Sequence, residues 1–562
     1  MNETRAARPR MADGWVLALI VAGGMLVQLP GLFWGVPGGK AINNALRILE
    51  GDIPYRDFWT MYAPGHFYVG ALLFKLFGVH VWVNGLGAQL FTAADAALVF
   101  LIAIRLGARR SNALGAAAVF LAVMWRPAPE LDSYVTSLLF LLLAVERVIQ
   151  YVNQRTTSSL LLAGAWCGVA AWFKHDVAFH VTAGITAGLI AAWLVLPAAR
   201  RSEWMSPLGV LLRVPGAAFL TLLPVMVLLV GTAWPDVWNA LIVFPATDFR
   251  IVRGQAYPPL LPRWSWVAGW LADPGDPARL AGLFRTLATW IKGNVIQLIY
   301  LTALLVLIRQ RRAIDARALG LSLVALAAMP FFWASAHVQH NTHFHSLWLL
   351  SMLLGALVWR HAPPATALRR FATVLLVLFG GALLEVPARL AATALYHWPA
   401  HRVLEVPSAA GVRLAGPEYA VYQPIASFIR THVPDTEPIY VGLLRHDAVV
   451  ISNQAFYYLA GRPVASRYNE LHPGITDRED VQREIIGDLN RLGVRCAVLW
   501  KFGWPADRMD RILAERRRHL PELGATLLDE YFRREFREID RFGEYILMWR
   551  RDAPLMESVT RR

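Results

Sequence analysis

The sequence predicts a polytopic α-helical membrane protein of about eleven crossings with an α/β domain at its C-terminal end. Three observations lead there. The 562 residues are 56% hydrophobic, with 22 Trp and only 17% charged. Nearly uncharged runs recur along the first two thirds of the chain, several of them roughly the twenty residues that span the hydrocarbon of a bilayer. After Pro399 the pattern changes to short amphipathic helices and strands. The net charge of +15 sits on arginines at the ends of apolar runs, where it orients spans, so a nucleic-acid partner is not expected. The two cysteines, Cys167 and Cys496, are too few and too far apart for a disulfide framework.

Residues 1–13 carry Arg5, Arg8 and Arg10 and read as a cytoplasmic tail. The run 14–34 reads as an uncleaved signal anchor, because the bulky GLFWGVPGG at its end lacks a small-residue cleavage site. The loop 35–80 is then outside. Within it, 66–78 is short and carries Lys75, which suits an interfacial helix rather than a span. Runs at 81–106, 112–125, 131–151, 159–173, 177–197, 208–231, 294–308, 316–334, 347–359 and 371–390 alternate direction. This order leaves Arg105, Arg109, Arg110, Arg155, Arg200, Arg201, Arg309, Arg311, Arg312, Arg360, Arg369 and Arg370 inside. The spanning module is expected over 14–399. In 400–562 a helix is expected at 423–433, a strand in IYVGL, an amphipathic helix in DREDVQREIIGDLNRLG with Asp477 near its start, and strands in VRCAVLW and EYILMWRR. With this count the domain lies outside, in a plasma (inner) membrane protein.

The outer loops differ in character from the inner ones. They hold RILEGDIPYRDF, RPAPELDSY at 126–134, KHD at 174–176, FPATDFRIVRGQ at 244–255 and HVQHNTHFH at 337–345. Ionisable groups beside a bilayer are costly unless paired or working, so their convergence on one face predicts a shared polar site.

One span, then an outer loop reading GDIPYRDFWTMYAPGHFYVGALLFKLFG (51–78), further spans with polar outer loops, and a tail carrying NQAFYYLAGRPVASRY (453–468) resemble the GT-C superfamily of integral-membrane glycosyltransferases. Within it, the chain is similar to the bacterial group containing dolichyl-phosphate-mannose protein mannosyltransferases and lipid A aminoarabinose transferases. The most telling pieces are Gly51 with Pro54, Tyr55, Arg56, Asp57 and Phe58, and Pro64 with Gly65. The resemblance implies transfer of a sugar from a polyprenyl-phosphate donor to a glycan, lipid or protein acceptor at the outer face, with inversion. In that superfamily the first outer loop commonly has an acidic pair soon after the first span; here that place reads VPGGK (36–40), with no acid. Asp52 and Asp57, with Glu50 behind them, are then the nearest candidates for the general base, Asp57 preferred.

The leaving phosphate requires cations, and Lys174, His175, Arg250, Arg253, His340 and His343 are the candidates. Tyr55, Arg56, Glu130 and Asp132 are candidates for shaping the acceptor side. Each has a plainer reading: Arg56–Asp57 as a turn pair, Asp52 as a turn residue, Lys174 and His175 as membrane-surface groups, Glu130 and Asp132 as a border of the span. His337, His340 and His343 would share a helix face and invite a metal, but no carboxylate is local to complete the site, so a divalent metal stays open without being favoured, and the polyprenyl-phosphate sugar enters as donor substrate. A transporter or flippase for a lipid-linked or anionic solute is the rival; it would place charges near the midplane and show paired halves, which the sequence does not. A catalytically silent relative in envelope glycan assembly is the third reading.

Overall fold

The computed structural model describes residues 11–196, 198–253, 263–310, 367–383, 401–450 and 452–554, with isolated positions between these stretches. Among them, five helices are long and apolar enough to cross a membrane: Gly14–Leu32, Val81–Arg105, Ser133–Gln154, His175–Val195 and Pro207–Ala233. In chain order the first helices are α1 (Met11–Leu32), α2 (Lys40–Leu49), α3 (Gly65–Phe77), α4 (Val81–Arg105), α5 (Arg110–Met124), α6 (Ser133–Gln154), α7 (Thr157–Ala171) and α8 (His175–Val195). The 13 residues of α3 rise only about 20 Å, matching the short segment expected at 66–78. The runs 112–125 and 159–173 are the 15-residue α5 and α7. The run 294–308 belongs to a longer helix, Pro277–Gln310, and 371–390 begins within Ala367–Leu383. The runs 316–334 and 347–359 lie outside the described residues, as do His337, His340, His343 and His345.

Sequence decides where these helices begin and how closely they meet. Asp132 caps α6, its carboxylate accepting from the Tyr134 and Val135 amides at 2.8 and 2.9 Å, and Ser206 caps Pro207–Ala233. On α7, Gly164 and Gly168 form a G-x-x-x-G face: a Cβ on either would collide with the Val214 or Ala218 carbonyl of Pro207–Ala233. Around that contact Leu160, Ile185, Leu189, Val210 and Val214 make the largest core of the helical part. The opposite face of Pro207–Ala233 exposes Leu208, Leu212, Phe219, Leu220 and Val227, as a lipid-facing surface requires.

The C-terminal part is built on a four-stranded mixed sheet. A two-stranded ribbon of β1 (Arg402–Val403) and β2 (Arg413–Leu414) precedes it. In the sheet, β3 (Tyr440–Leu443) pairs in parallel with β4 (Cys496–Trp500); β6 (Tyr545–Arg550) pairs antiparallel with β4 and with β5 (Phe536–Phe542). The expected strands are present and the amphipathic helix is Glu479–Arg491; the helix expected at 423–433 starts earlier, as Gly416–His432, because Pro417 suits a first turn. β5 was not expected, since FREIDRF is mostly exposed on this edge strand.

One face of the sheet buries Ile425, Ile429, Phe456, Leu547 and Trp549. The other buries Ile485, Leu489, Ala497 and Phe532 together with Trp59 and Met61 of the loop between α2 and α3 and Phe244 and Phe249. Each such side chain contributes about 1.5–3 kcal/mol when fully buried, so the sheet and the loop are held as one core. Polar contacts add register: Asn43 donates to the Gln454 carbonyl at 2.9 Å, Asn469 to Asn44 at 2.9 Å, and Tyr458 to the Pro37 carbonyl at 2.7 Å.

Two consequences can be measured. Gly39, the residue before α2, has φ +87°, and a Cβ there would come within 2.6 Å of the Tyr458 ring. Gly39→Ala should therefore destabilise the protein by about 1–3 kcal/mol, read as a lower unfolding temperature in detergent. Asp477 is fully buried, with Oδ1 accepting from the Gly474 amide at 2.8 Å and Oδ2 3.9 Å from Arg516. Burial raises its pKa from 3.8 to about 7, against the opposing pull of Arg516 and the Gly474 amide. The folded chain holds this proton more tightly than the unfolded one, so the stability it contributes is complete at low pH and is lost as pH rises from 3.8 to about 7. Asp477→Asn cannot ionise and should flatten that slope, a difference of up to about 4 kcal/mol in thermal unfolding compared across this window.

Candidate functional site

Lys40 opens α2 directly after Gly39 and is half-buried. Its ammonium sits 3.6 Å from the centre of the Tyr62 ring. Burial opposes the charge on Lys40, yet Tyr62, Glu470 and Glu130 outweigh it and leave the pKa raised, so the side chain stays protonated. Glu130 comes from the loop before α6 and accepts from the Ala41 amide at 2.6 Å, so this acid is bound to the first turn of α2. Burial raises the pKa of Glu130, with Lys40 and the helix amides pulling the other way.

Around this pair the chain collects further charge. Lys174, at the start of α8, has a side chain only 7% exposed and holds the Asp176 carboxylate at 2.7 and 2.8 Å. Its ammonium also lies 4.8 Å from the Tyr134 ring centre and 5.9 Å from that of Tyr62. The Gly65 amide donates to the Trp172 carbonyl at 2.8 Å, which ties the start of α3 to the chain leading into Lys174. His66 is 1% exposed, and neither ring nitrogen makes a well-formed hydrogen bond. Burial and the charges of Lys40 and Lys174 push its pKa well below the ordinary value, so the ring is neutral. Arg253, ending the helix Asp248–Arg253, faces Tyr62 and Glu470, and burial lowers its pKa. Glu470 is 8% exposed, with Oε2 lacking a hydrogen-bond partner; burial raises its pKa while Lys40 and Arg253 oppose this. His472 closes the cluster, its ring 5.4 Å from Trp59, 5.2 Å from Phe244 and 5.5 Å from Phe249.

Of the residues singled out in the sequence, Lys174, Arg253 and Glu130 meet in this cluster. Asp52 and Asp57 lie in the loop ahead of it. Asp52 binds Arg47 at 2.6 Å, and Arg47 reaches on to the Asp57 carbonyl at 2.7 Å and the Ser466 carbonyl at 3.1 Å. Asp57 accepts two bonds from Arg56, at 2.9 and 2.6 Å, and one from the Ile53 amide at 2.7 Å. These partners, Arg56 foremost, hold its pKa below the ordinary carboxylate value. Tyr55 has φ +71°, is buried, and donates to the Tyr62 carbonyl at 2.7 Å, which fixes the loop on the residue under Lys40. Asp132 serves as the cap of α6 and lies 3.9 Å from Arg126. His175 donates from Nε2 to the Leu241 carbonyl at 2.8 Å, and Arg250 is exposed. His340 and His343 fall outside the described residues. Among the described residues no group of three or more His, Cys, Asp or Glu side chains is placed to hold a metal ion.

Lys40, Tyr62, His66, Glu470 and His472 were not identified from the sequence. One signal was available: lysine is rare here, with five among the 55 basic residues, and two of the five, Lys40 and Lys174, are in this cluster.

No protein-family model matches the sequence, and a search of curated proteins finds no match. Among solved structures, the chain is similar to ArnT from Cupriavidus metallidurans bound to undecaprenyl phosphate, with 16% identity and a TM-score of 0.47, covering 96% of this chain and 98% of that one. It is also similar to the Archaeoglobus fulgidus oligosaccharyltransferase complexed with zinc and sulfate, with 13% identity and a TM-score of 0.46, covering 87% of this chain and 68% of that one. Likeness at this level carries no inference about substrate, and the functional reading rests on the buried residues.

Proposed function

We propose that the protein is a membrane glycosyltransferase that moves a sugar from a polyprenyl-phosphate donor to an acceptor hydroxyl at the extracytoplasmic face, with inversion. The observation that carries the reading is the gathering of Lys40, Lys174 and Arg253 around Tyr62, beside a buried, neutral His66 whose ring nitrogens make no well-formed hydrogen bond. Buried polar atoms without partners are rare in finished cores and are expected where a polar ligand completes the site. The first outer loop supplies the reaction class through its resemblance to the GT-C enzymes, and the cluster supplies what a lipid-borne phosphate needs. Lys174 stands at the end of a candidate span, where such a phosphate lies, and away from the midplane site expected of a transporter.

In this reading the phosphate oxygens accept from Lys40, Lys174 and Arg253. As the bond between the anomeric carbon and the phosphate breaks, negative charge grows on the leaving group and these fixed cations stabilise it. His66 donates or accepts through whichever nitrogen the substrate presents. The Asp52–Arg47 and Asp57–Arg56 pairs hold the loop in shape, and the acceptor's proton goes to an acid inside the cluster.

Lys40→Gln, Lys174→Gln and Arg253→Gln should each weaken binding of polyprenyl phosphate by roughly tenfold or more, measured on purified protein in nanodiscs. Unchanged affinity in all three would sink the assignment. Mass spectrometry of envelope glycans and glycolipids from cells with and without the protein should show loss of one glycosylated product. For sidedness, the arginine distribution places residues 401–554 outside; a reporter active only beyond the cytoplasm, fused after Arg562, should be active, and silence would reverse the orientation.

A further inference from the structure

Three cations and three carboxylates share the buried cluster: Lys40, Lys174 and Arg253, against Glu130, Glu470 and Asp176. Two of the acids are committed. Asp176 is bound to Lys174, and Glu130 to the amides opening α2. Glu470 is the third, and Oε2 is without a hydrogen-bond partner although the residue is 8% exposed. It comes from the C-terminal part, on a stretch pinned at both sides: Asn469 donates to Asn44 and Gln454 at 2.9 and 3.0 Å, and His472 packs on Trp59 and Phe244.

We propose that Glu470 is the general base of the transfer, and that the donor phosphate takes Lys40 and Arg253 over from it on binding. This deepens the function proposed above and rests on it. The entering phosphate diester adds one negative charge to the cluster, an excess that a medium of low dielectric makes costly and that grows when the leaving group gains its second charge. Glu470, ionised in the donor complex, is the acid with an oxygen open to take the acceptor's hydroxyl proton as that charge develops. The titratable groups around it are Lys40 from α2 and Arg253 from Asp248–Arg253; beyond Lys40 lie Tyr62, His66 and Glu130, and His472 faces Arg253. Burial already raises the proton affinity of Glu470 against the pull of Lys40 and Arg253, so losing those two partners to the phosphate strengthens the base when the donor is in place.

The step balances within the cluster. The acceptor oxygen bonds to the anomeric carbon, the bond from that carbon to the phosphate oxygen breaks with its electron pair leaving on the phosphate, and the hydroxyl proton passes to Glu470 Oε2. The phosphate gains one negative charge as Glu470 loses one. The proton leaves to solvent with the product.

The test uses the full chain in nanodiscs with undecaprenyl phosphate as probe, titrated calorimetrically at one pH in two buffers of different ionisation enthalpy. The probe stands for the leaving phosphate, beside which Glu470 holds the transferred proton, so the parent should take up more protons on binding it than Glu470→Gln, and Glu470→Gln should bind about as tightly as the parent or more so. In cells, Glu470→Gln should lower product formation by ~10² or more while binding is kept. If Glu470→Gln does not fold, Glu470→Asp serves: it should keep the proton uptake and slow the transfer, and a parental transfer rate would overturn the proposal. Equal proton uptake in parent and Glu470→Gln, or product made at the parental level, overturns the role of Glu470 alone. Failure of the parent to bind the probe overturns the donor reading, and this inference with it.

Discussion

A protonated lysine held out of water is the constraint on which the rest of this structure depends. Taking the charge of Lys40 from water costs several kcal/mol unless partners surround it, and no single element of the fold supplies them. Glu130 arrives with the loop before α6, Tyr62 with the loop between α2 and α3, and Glu470 with the C-terminal part. The charge is tolerable only where all three have docked. That requirement explains why the contacts between the halves of the chain are dense and specific, with amide pairs at Asn43–Gln454 and Asn44–Asn469 and an aromatic core shared by Trp59, Phe244 and Phe249.

The sheet therefore does more than terminate the chain. Its face buries the loop between α2 and α3, and Arg516 of the helix Ala506–Arg517 donates to the Val252 carbonyl at 3.0 Å, one residue before Arg253. Movements of the C-terminal part relative to the helices would shift an acid and a base of the cluster together. A site assembled this way has geometry set by packing at a distance, since the residues that hold Glu470 and Arg253 in place touch neither Lys40 nor Tyr62 through their own hydrogen bonds.

The membrane character, the short α3 and four of the C-terminal elements were legible because each depends on local periodicity and polarity. Lys174 and Arg253 were legible because each is a cation beside an apolar run. Lys40 was not, because nothing in VPGGK shows that its acids lie in another loop and in the C-terminal part. Asp57 illustrates the opposite difficulty. Its neighbours in sequence suggested a held, ionised carboxylate, and the structure shows the holding done by Arg56 and the Ile53 amide, bonds that also reduce its appetite for a proton. Sequence displays residue types and spacing, whereas basicity depends on which oxygen remains without a partner.

The brevity of α5 and α7 has a consequence for the lipid around them. Fifteen residues of helix rise about 22 Å, against ~30 Å for the hydrocarbon of an ordinary bilayer. If both helices cross, the membrane thins toward them where they face lipid, and α7 ends three residues before Lys174. The headgroup plane would dip beside this lysine, so a long-chain lipid could deliver its phosphate laterally, along a dimple in the membrane surface, instead of having it lifted clear of the bilayer.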